Sequence, residues 1–174
     1  MTLSFILVET PVNVLGIVAS EKGLRMILPG RDAGDVRMQR DYQFSGQQAV
    51  EDRETSILAE ARTQILEYFA GARTQFDLPL DEEGTPFQLR VWKALRAIPY
   101  GRTTTYTGLA KAVDSVAVRA VGSACGANPL LLVTPCHRVL HKDGGLGGFS
   151  SGLWVKSRLL NLEERCMGAM KAAA

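Results

Sequence analysis

The charge of this chain is divided along its length, and that division constrains the fold more than any other property of the sequence. Residues 1–86 carry eight Lys and Arg against fourteen Asp and Glu, whereas residues 87–174 carry twelve against four. The overall net charge of +2 conceals this split. A chain of 174 residues with 46% hydrophobic content can bury one good core or two small ones, and a prior of about 150 residues per domain does not choose between them. The charge split does choose. An acidic first half and a basic second half point to two domains, the second of which meets a polyanion such as nucleic acid or an anionic surface. The plain alternative is a solvated basic face.

The opening run Met1-Thr-Leu-Ser-Phe-Ile-Leu-Val has no basic stretch and leads into Glu9 and Pro11, so it does not read as a secretory signal. No apolar stretch approaches the roughly 20 residues of a membrane span, and no membrane partner is expected. Cys125, Cys136 and Cys166 are odd in number and unevenly spaced, which fits free thiols in a reducing cytoplasm better than a disulfide framework. Neither Cys nor His occurs before residue 87, and Cys136-His137-x3-His141 alone spaces ligands poorly for a tetrahedral site. A cytoplasmic protein without metal or cofactor is the expectation.

Residues 5–28 are rich in β formers and broken by Pro11, Gly16 and Glu21-Lys22-Gly23, the pattern of a strand and hairpin series. Residues 30–47 are polar and read as turns. Ile57, Leu58, Ala61, Ile65, Tyr68 and Phe69 recur at helical spacing and end at Gly71, which predicts a helix over 56–70. Domains are expected at 1–80 and 87–174, joined by a linker at 81–86. Thr85-Pro86-Phe87-Gln88 has the order of a capping box with proline at N1, opening a helix that Pro99-Tyr100-Gly101 stops. A short helix over 107–113, a turn at Asp114-Ser115 and a second helix over 116–126 make a helix-turn-helix candidate. Its second helix carries almost nothing long and polar except Arg119. Small residues on such a face permit close approach to a backbone or a minor groove without reading bases, or else they pack against a neighbouring helix.

The chemistry of the chain centres on Pro135-Cys136-His137-Arg138-Val139. A thiol attacks as thiolate, and a free cysteine with a pKa of roughly 8.5 needs a base or a cation beside it at neutral pH. His137 and Arg138 could supply both. Apolar residues 130–133 leave open the blander reading of a small core cysteine.

Thr103-Thr-Thr-Tyr106, Arg119-Ala-Val-Gly122, Asn128-Pro129, Pro135-Cys-His-Arg-Val139 and a Gly-rich turn leading to Glu163 together resemble the O6-alkylguanine-DNA alkyltransferases over residues 80–165. The resemblance implies an α/β chain of two domains, the first ribonuclease H-like. The second would be mostly helical and winged-helix-like, holding the helix-turn-helix. Its implied activity is direct damage reversal: an alkyl group moves irreversibly from O6-alkylguanine, or O4-alkylthymine, in double-stranded DNA to Cys136. Base flipping is needed because a duplex buries the O6 atom. In the family's pattern Glu163 orients His137, which acts on Cys136 through a water, or through a local turn, because neighbours in extended chain face opposite ways. Asn128 braces the loop, Tyr106 donates a proton to the departing guanine, and Arg119 fills the space the nucleotide leaves. Ala117, Thr105 and Gly122 join Arg119 against DNA, while Val139, Phe149, Ser150 and Ser151 hold the flipped base. A monomer is expected, with cooperative loading on DNA left open.

The chain departs from the family in places. Phe149 stands where many members have Tyr, Ser151 replaces a common Gly and Leu131 a common Pro, and the turn at Asp114-Ser115 is one residue short. Two other functions fit the residues. One is a Cys-His-Glu thiol hydrolase working through a thioester. The other is a lesion-binding protein without transfer, although members of that kind carry Trp in place of the cysteine.

Overall fold

The computed structural model describes residues 2–46 and 50–173; Met1, residues 47–49 and Ala174 lie outside it. The chain forms two compact units. Residues up to Glu83 and the tripeptide Pro129–Leu131 make the first, and the remainder make the second.

In the first unit the expected hairpin series forms β1 (Leu3–Glu9), β2 (Val14–Ala19) and β3 (Leu24–Gly30), each antiparallel to the next. A short β4 (Val50–Asp52) runs parallel to β1, so the sheet order is β3-β2-β1-β4. Strand alternation sends Phe5, Gly16 and Val18 to one face, where they meet Val36. The intervening Leu15 and Ile17 are equally buried from the other face. Helix α2 (Ser56–Phe69) packs on β1 and β2 and buries Leu58, Ala61, Ile65 and Tyr68, in agreement with the spacing of its sequence.

The polar stretch expected as turns is instead largely a helix, α1 (Ala33–Gln43), while Gln47 at its end lies outside the described residues. Asp32 caps α1 through Oδ1, which accepts from Asp35 N at 2.8 Å. Val36 is its one buried residue, so the usual apolar stripe is missing. Close approach substitutes for area. A Cβ on Gly16 would lie 2.3 Å from Val36 Cγ1, and one on Gly30 would lie 2.5 Å from Val36 Cγ2.

At the end of this unit Asp81 is held by Ser20 Oγ, which donates to Oδ2 at 2.7 Å, and by its own N–H to Leu24 O at 2.8 Å. Arg25 pairs with both Asp81 and Glu83.

The second unit is mostly helical. Thr85 and Gln88 close the expected capping box on α3 (Pro86–Arg96): Gln88 N donates to Thr85 Oγ1 at 3.2 Å and Thr85 N to Gln88 Oε1 at 2.8 Å. Helices α4 (Tyr106–Ala112) and α5 (Val118–Gly126) flank a turn in which Asp114 takes φ 52°. Both begin beside their expected starts. Thr105 Oγ1 caps α4 by accepting from Gly108 N, and α5 starts past Val116, which is fully exposed. Val91, Trp92 and Leu95 of α3 meet Leu109, Val121 and Ala124 in one core, and Trp92 Nε1 donates to Ala124 O at 2.8 Å. Strands β5 (Thr104–Thr105) and β6 (Val139–Leu140) pair in parallel, and α6 (Leu153–Ala172) ends the chain. None of the helices among the described residues is long and apolar enough to cross a membrane.

Candidate active site

Cys136 opens a single 3-10 turn, Cys136–Arg138, the local turn that the sequence left open beside extended chain. Three residues per turn send successive side chains about 120° apart. Cys136 therefore reaches a cavity of about 610 Å3 while His137 and Arg138 turn inward. Upstream, Leu132 adopts φ 72°, a strained conformation for a leucine, which its burial holds in place.

Asn128, just past the end of α5, donates from Nδ2 to Thr134 O at 2.8 Å and to Cys136 Sγ at 3.2 Å. One amide thus fixes the loop and touches the sulfur. Burial pushes the Cys136 thiol above its ordinary pKa, opposed by this hydrogen bond and by the positive charge of Lys156. At rest the group is a thiol that must lose its proton to attack.

His137 Nε2 lies 2.7 Å from Glu163 Oε1 on α6. Arg138 binds the same carboxylate through Nε at 3.0 Å and Nη2 at 2.9 Å, and sends Nη1 to Ile98 O at 2.7 Å. Gly101 N donates to Oε2 at 2.9 Å. Burial alone would raise the Glu163 pKa, but the hydrogen bonds and charge gathered on it hold it at about 2. Burial of His137 outweighs the carboxylate and favours the neutral ring. An ionised Glu163 therefore fixes the proton on Nε2 and leaves the Nδ1 lone pair as a base. The buried Nδ1 has no hydrogen-bond partner among the described residues. Arg138, read from the sequence as a cation for the thiolate, is instead the anchor of Glu163.

The cation beside the thiol comes from Lys156, which sequence reading missed. It is fully buried and donates from Nζ to Val139 O at 2.6 Å and to Leu146 O, with the Phe149 ring centroid 5.8 Å away. Burial lowers its pKa, and the charges of Cys136 and Cys125 oppose that. A lysine one turn into a helix of a basic half looks like a solvated residue, so no local pattern announces it.

The cavity gathers Cys136 with Tyr106, Arg119, Gly122, Phe149 and Ser150 among the expected residues, and adds Val118, Cys125, Gly126, His141 and Gly148. Asn128, His137 and Glu163 stand behind it. Val139 is buried in the core, Thr105 caps α4, Ala117 precedes α5 and Ser151 Oγ is buried without a partner among the described residues, and these four do not line it. Burial raises the Tyr106 hydroxyl above its ordinary pKa, as do the nearby thiols. Among the described residues no group of three or more His, Cys, Asp or Glu is placed to hold a metal ion.

Family models match both halves of the chain. Residues 3–82 match the ribonuclease-like domain of 6-O-methylguanine DNA methyltransferase, and residues 86–165 match its DNA binding domain. The constitutive methylated-DNA–protein-cysteine methyltransferase of Bacillus subtilis is 44% identical over 158 residues, covering 89% of this chain and 92% of its own. The methylated-DNA–protein-cysteine methyltransferase of Methanosarcina barkeri is 39% identical, with coverages of 91% and 95%. Among solved structures, Mycobacterium tuberculosis OGT in complex with DNA superposes with a TM-score of 0.77 at 33% identity, covering 95% of this chain and 94% of that one. The O6-methylguanine methyltransferase of the same organism gives 0.79 at 34%, with coverages of 94% and 93%. A thiol at a cavity of the basic half, and both halves matched at this level, lead to one conclusion: the chain belongs to the 6-O-methylguanine DNA methyltransferase family.

Proposed function

We infer that this protein repairs DNA by direct reversal, moving the alkyl group of an O6-alkylguanine in duplex DNA irreversibly onto Cys136. The observation that carries the reading is Cys136 itself, a thiol at a cavity wall with a histidine base behind it whose tautomer is set by an ionised glutamate. His137 Nδ1 takes the Cys136 proton through one water, and Sγ attacks the alkyl carbon. The carbon–oxygen bond breaks, its electron pair stays with guanine, and Tyr106 supplies a proton to the departing base. Displacement at saturated carbon needs alignment and no oxyanion hole. Lys156 stabilises the thiolate as it forms, and Asn128 keeps the sulfur on line.

Arg119, Ala117, Gly122 and Thr105 face the DNA in this reading, and Arg119 occupies the space left by the flipped nucleotide. Phe149 stacks on the base and Ser150 supplies a polar contact, both from the cavity wall. The unpaired cysteines suit a reducing cytoplasm, where we place a monomer.

A thioether has no acidic leaving group and stays on the sulfur, which separates this reading from a thiol hydrolase. The test is intact mass before and after duplex DNA carrying O6-methylguanine. One methyl per chain, located on Cys136 and never exceeded, is expected; repeated turnover without modification would overturn the reading.

A further inference from the structure

We propose that His141 is a specificity-determining residue: its imidazole, set beside Tyr106, forms the part of the cavity wall that limits the size of the alkyl group Cys136 accepts. This rests on the alkyl-transfer reading above. The placement begins with strand register. In the parallel pair β5–β6, Thr105 lies opposite Leu140, so the residues that follow, Tyr106 and His141, leave the ladder side by side. Their ring centroids are 5.4 Å apart at an interplanar angle of 51°. Both rings line the cavity that holds Cys136.

The turn after His141 fixes the ring's origin. His141 N donates to Gly145 O at 2.8 Å, Gly144 N returns to His141 O at 3.0 Å, and Gly145 N donates to Asp143 Oδ1 at 2.9 Å. Gly147 then crosses both rings with φ 71°. A Cβ there would lie 3.1 Å from His141 Nε2 and 3.1 Å from Tyr106 Cε2, so glycine lets the loop backbone close against the pair. Tyr106, His141 and Gly147 thus form one packed section of wall.

Of the rings around this cavity, Tyr106 and Phe149 also pack against the core of the second unit, whereas His141 is exposed and outside it. His141 is therefore the ring that can change size without loss of the core. Shape discrimination of one or two carbons in such a pocket is worth about tenfold or more in rate.

The test compares single-turnover transfer from one duplex carrying either O6-methylguanine or O6-benzylguanine. His141→Ala is expected to raise the benzyl-to-methyl rate ratio about tenfold, and His141→Trp to lower it about tenfold. Each variant is read separately once circular dichroism establishes its fold, so failure of one to fold leaves the other decisive. A ratio within about twofold of wild type in a folded variant overturns the proposal. Wild-type protein that transfers neither group would instead overturn the alkyl-transfer reading.

Discussion

His137 gives Nε2 to Glu163 at 2.7 Å and keeps Nδ1 buried without a partner among the described residues, so one imidazole is held at one end and open at the other. Burial raises the Cys136 thiol above its ordinary pKa, so the proposed mechanism makes the open nitrogen the group that takes its proton. His137→Ala is expected to slow methyl transfer by roughly 10²–10⁴-fold. Its rate should then climb with pH across the neutral range, as thiolate forms without a base. Single-turnover rates from pH 6 to 9 read both effects, and a variant as fast as wild type at pH 7 would refute the assignment.

Glu163 also links acidity to stability. Its carboxyl sits at about 2 in the folded chain against an ordinary 4.5, a depressed value that contributes stability above 4.5 and loses it as pH falls toward 2. The contribution is roughly 3 kcal/mol. Urea melts at pH 6 and pH 3 should therefore differ for wild type. Glu163→Gln should be less stable at pH 6, where Arg138 loses its partner, and should lack most of this pH dependence.

Lys156→Met removes the ammonium beside the thiol. Transfer at pH 7 is expected to fall about tenfold, with the pH–rate profile displaced to higher pH. A lysine that merely ties Val139 and Leu146 together would lower the rate and leave the profile in place. Lys156→Arg, which keeps the charge, should restore the profile even where the rate stays low.

Arg119→Ala should slow transfer from duplex DNA more than reaction with free O6-benzylguanine, which needs no flipping. A difference of about tenfold between the two substrates is expected, the cost of unstacking a base without its replacement. Equal losses on both would remove Arg119 from the flipping step.

Gly16→Ala would set its Cβ 2.3 Å from Val36 Cγ1 and 2.7 Å from Phe5 Cε2, well inside van der Waals contact. Strain of about 1–3 kcal/mol should appear as an earlier urea midpoint.

How much of this could be read in advance varied with the range of the interaction. The capping box at Thr85 and Gln88 and the spacing of α2 are local, and both emerged as the residues indicated. Helix α1 was hidden because its anchorage is Val36 against two glycines contributed by β2 and β3, with no apolar stripe of its own. At Cys136 the sequence left a local turn and extended chain both open, and the hydrogen bond from Asn128 to Thr134 O that accompanies the turn is made only in the folded chain. Cys136 and His137 were legible as adjacent nucleophile and base, whereas Glu163 came from resemblance to a family. Lys156 and the grip of Arg138 on Glu163 are made by residues brought together only in the folded chain, and sequence carries no sign of such pairs.

The single turn at Cys136 turns three adjacent letters into three separate assignments: one side chain to the cavity and two to the interior. Order within the triplet is thus a matter of angle. Exchanging Cys136 with His137 would preserve composition, charge and spacing, yet rotate the nucleophile about a third of a turn into the protein interior. Insertion of one residue would do the same to every member. The motif works as a compass bearing, and this is why its letters cannot be shuffled even among themselves.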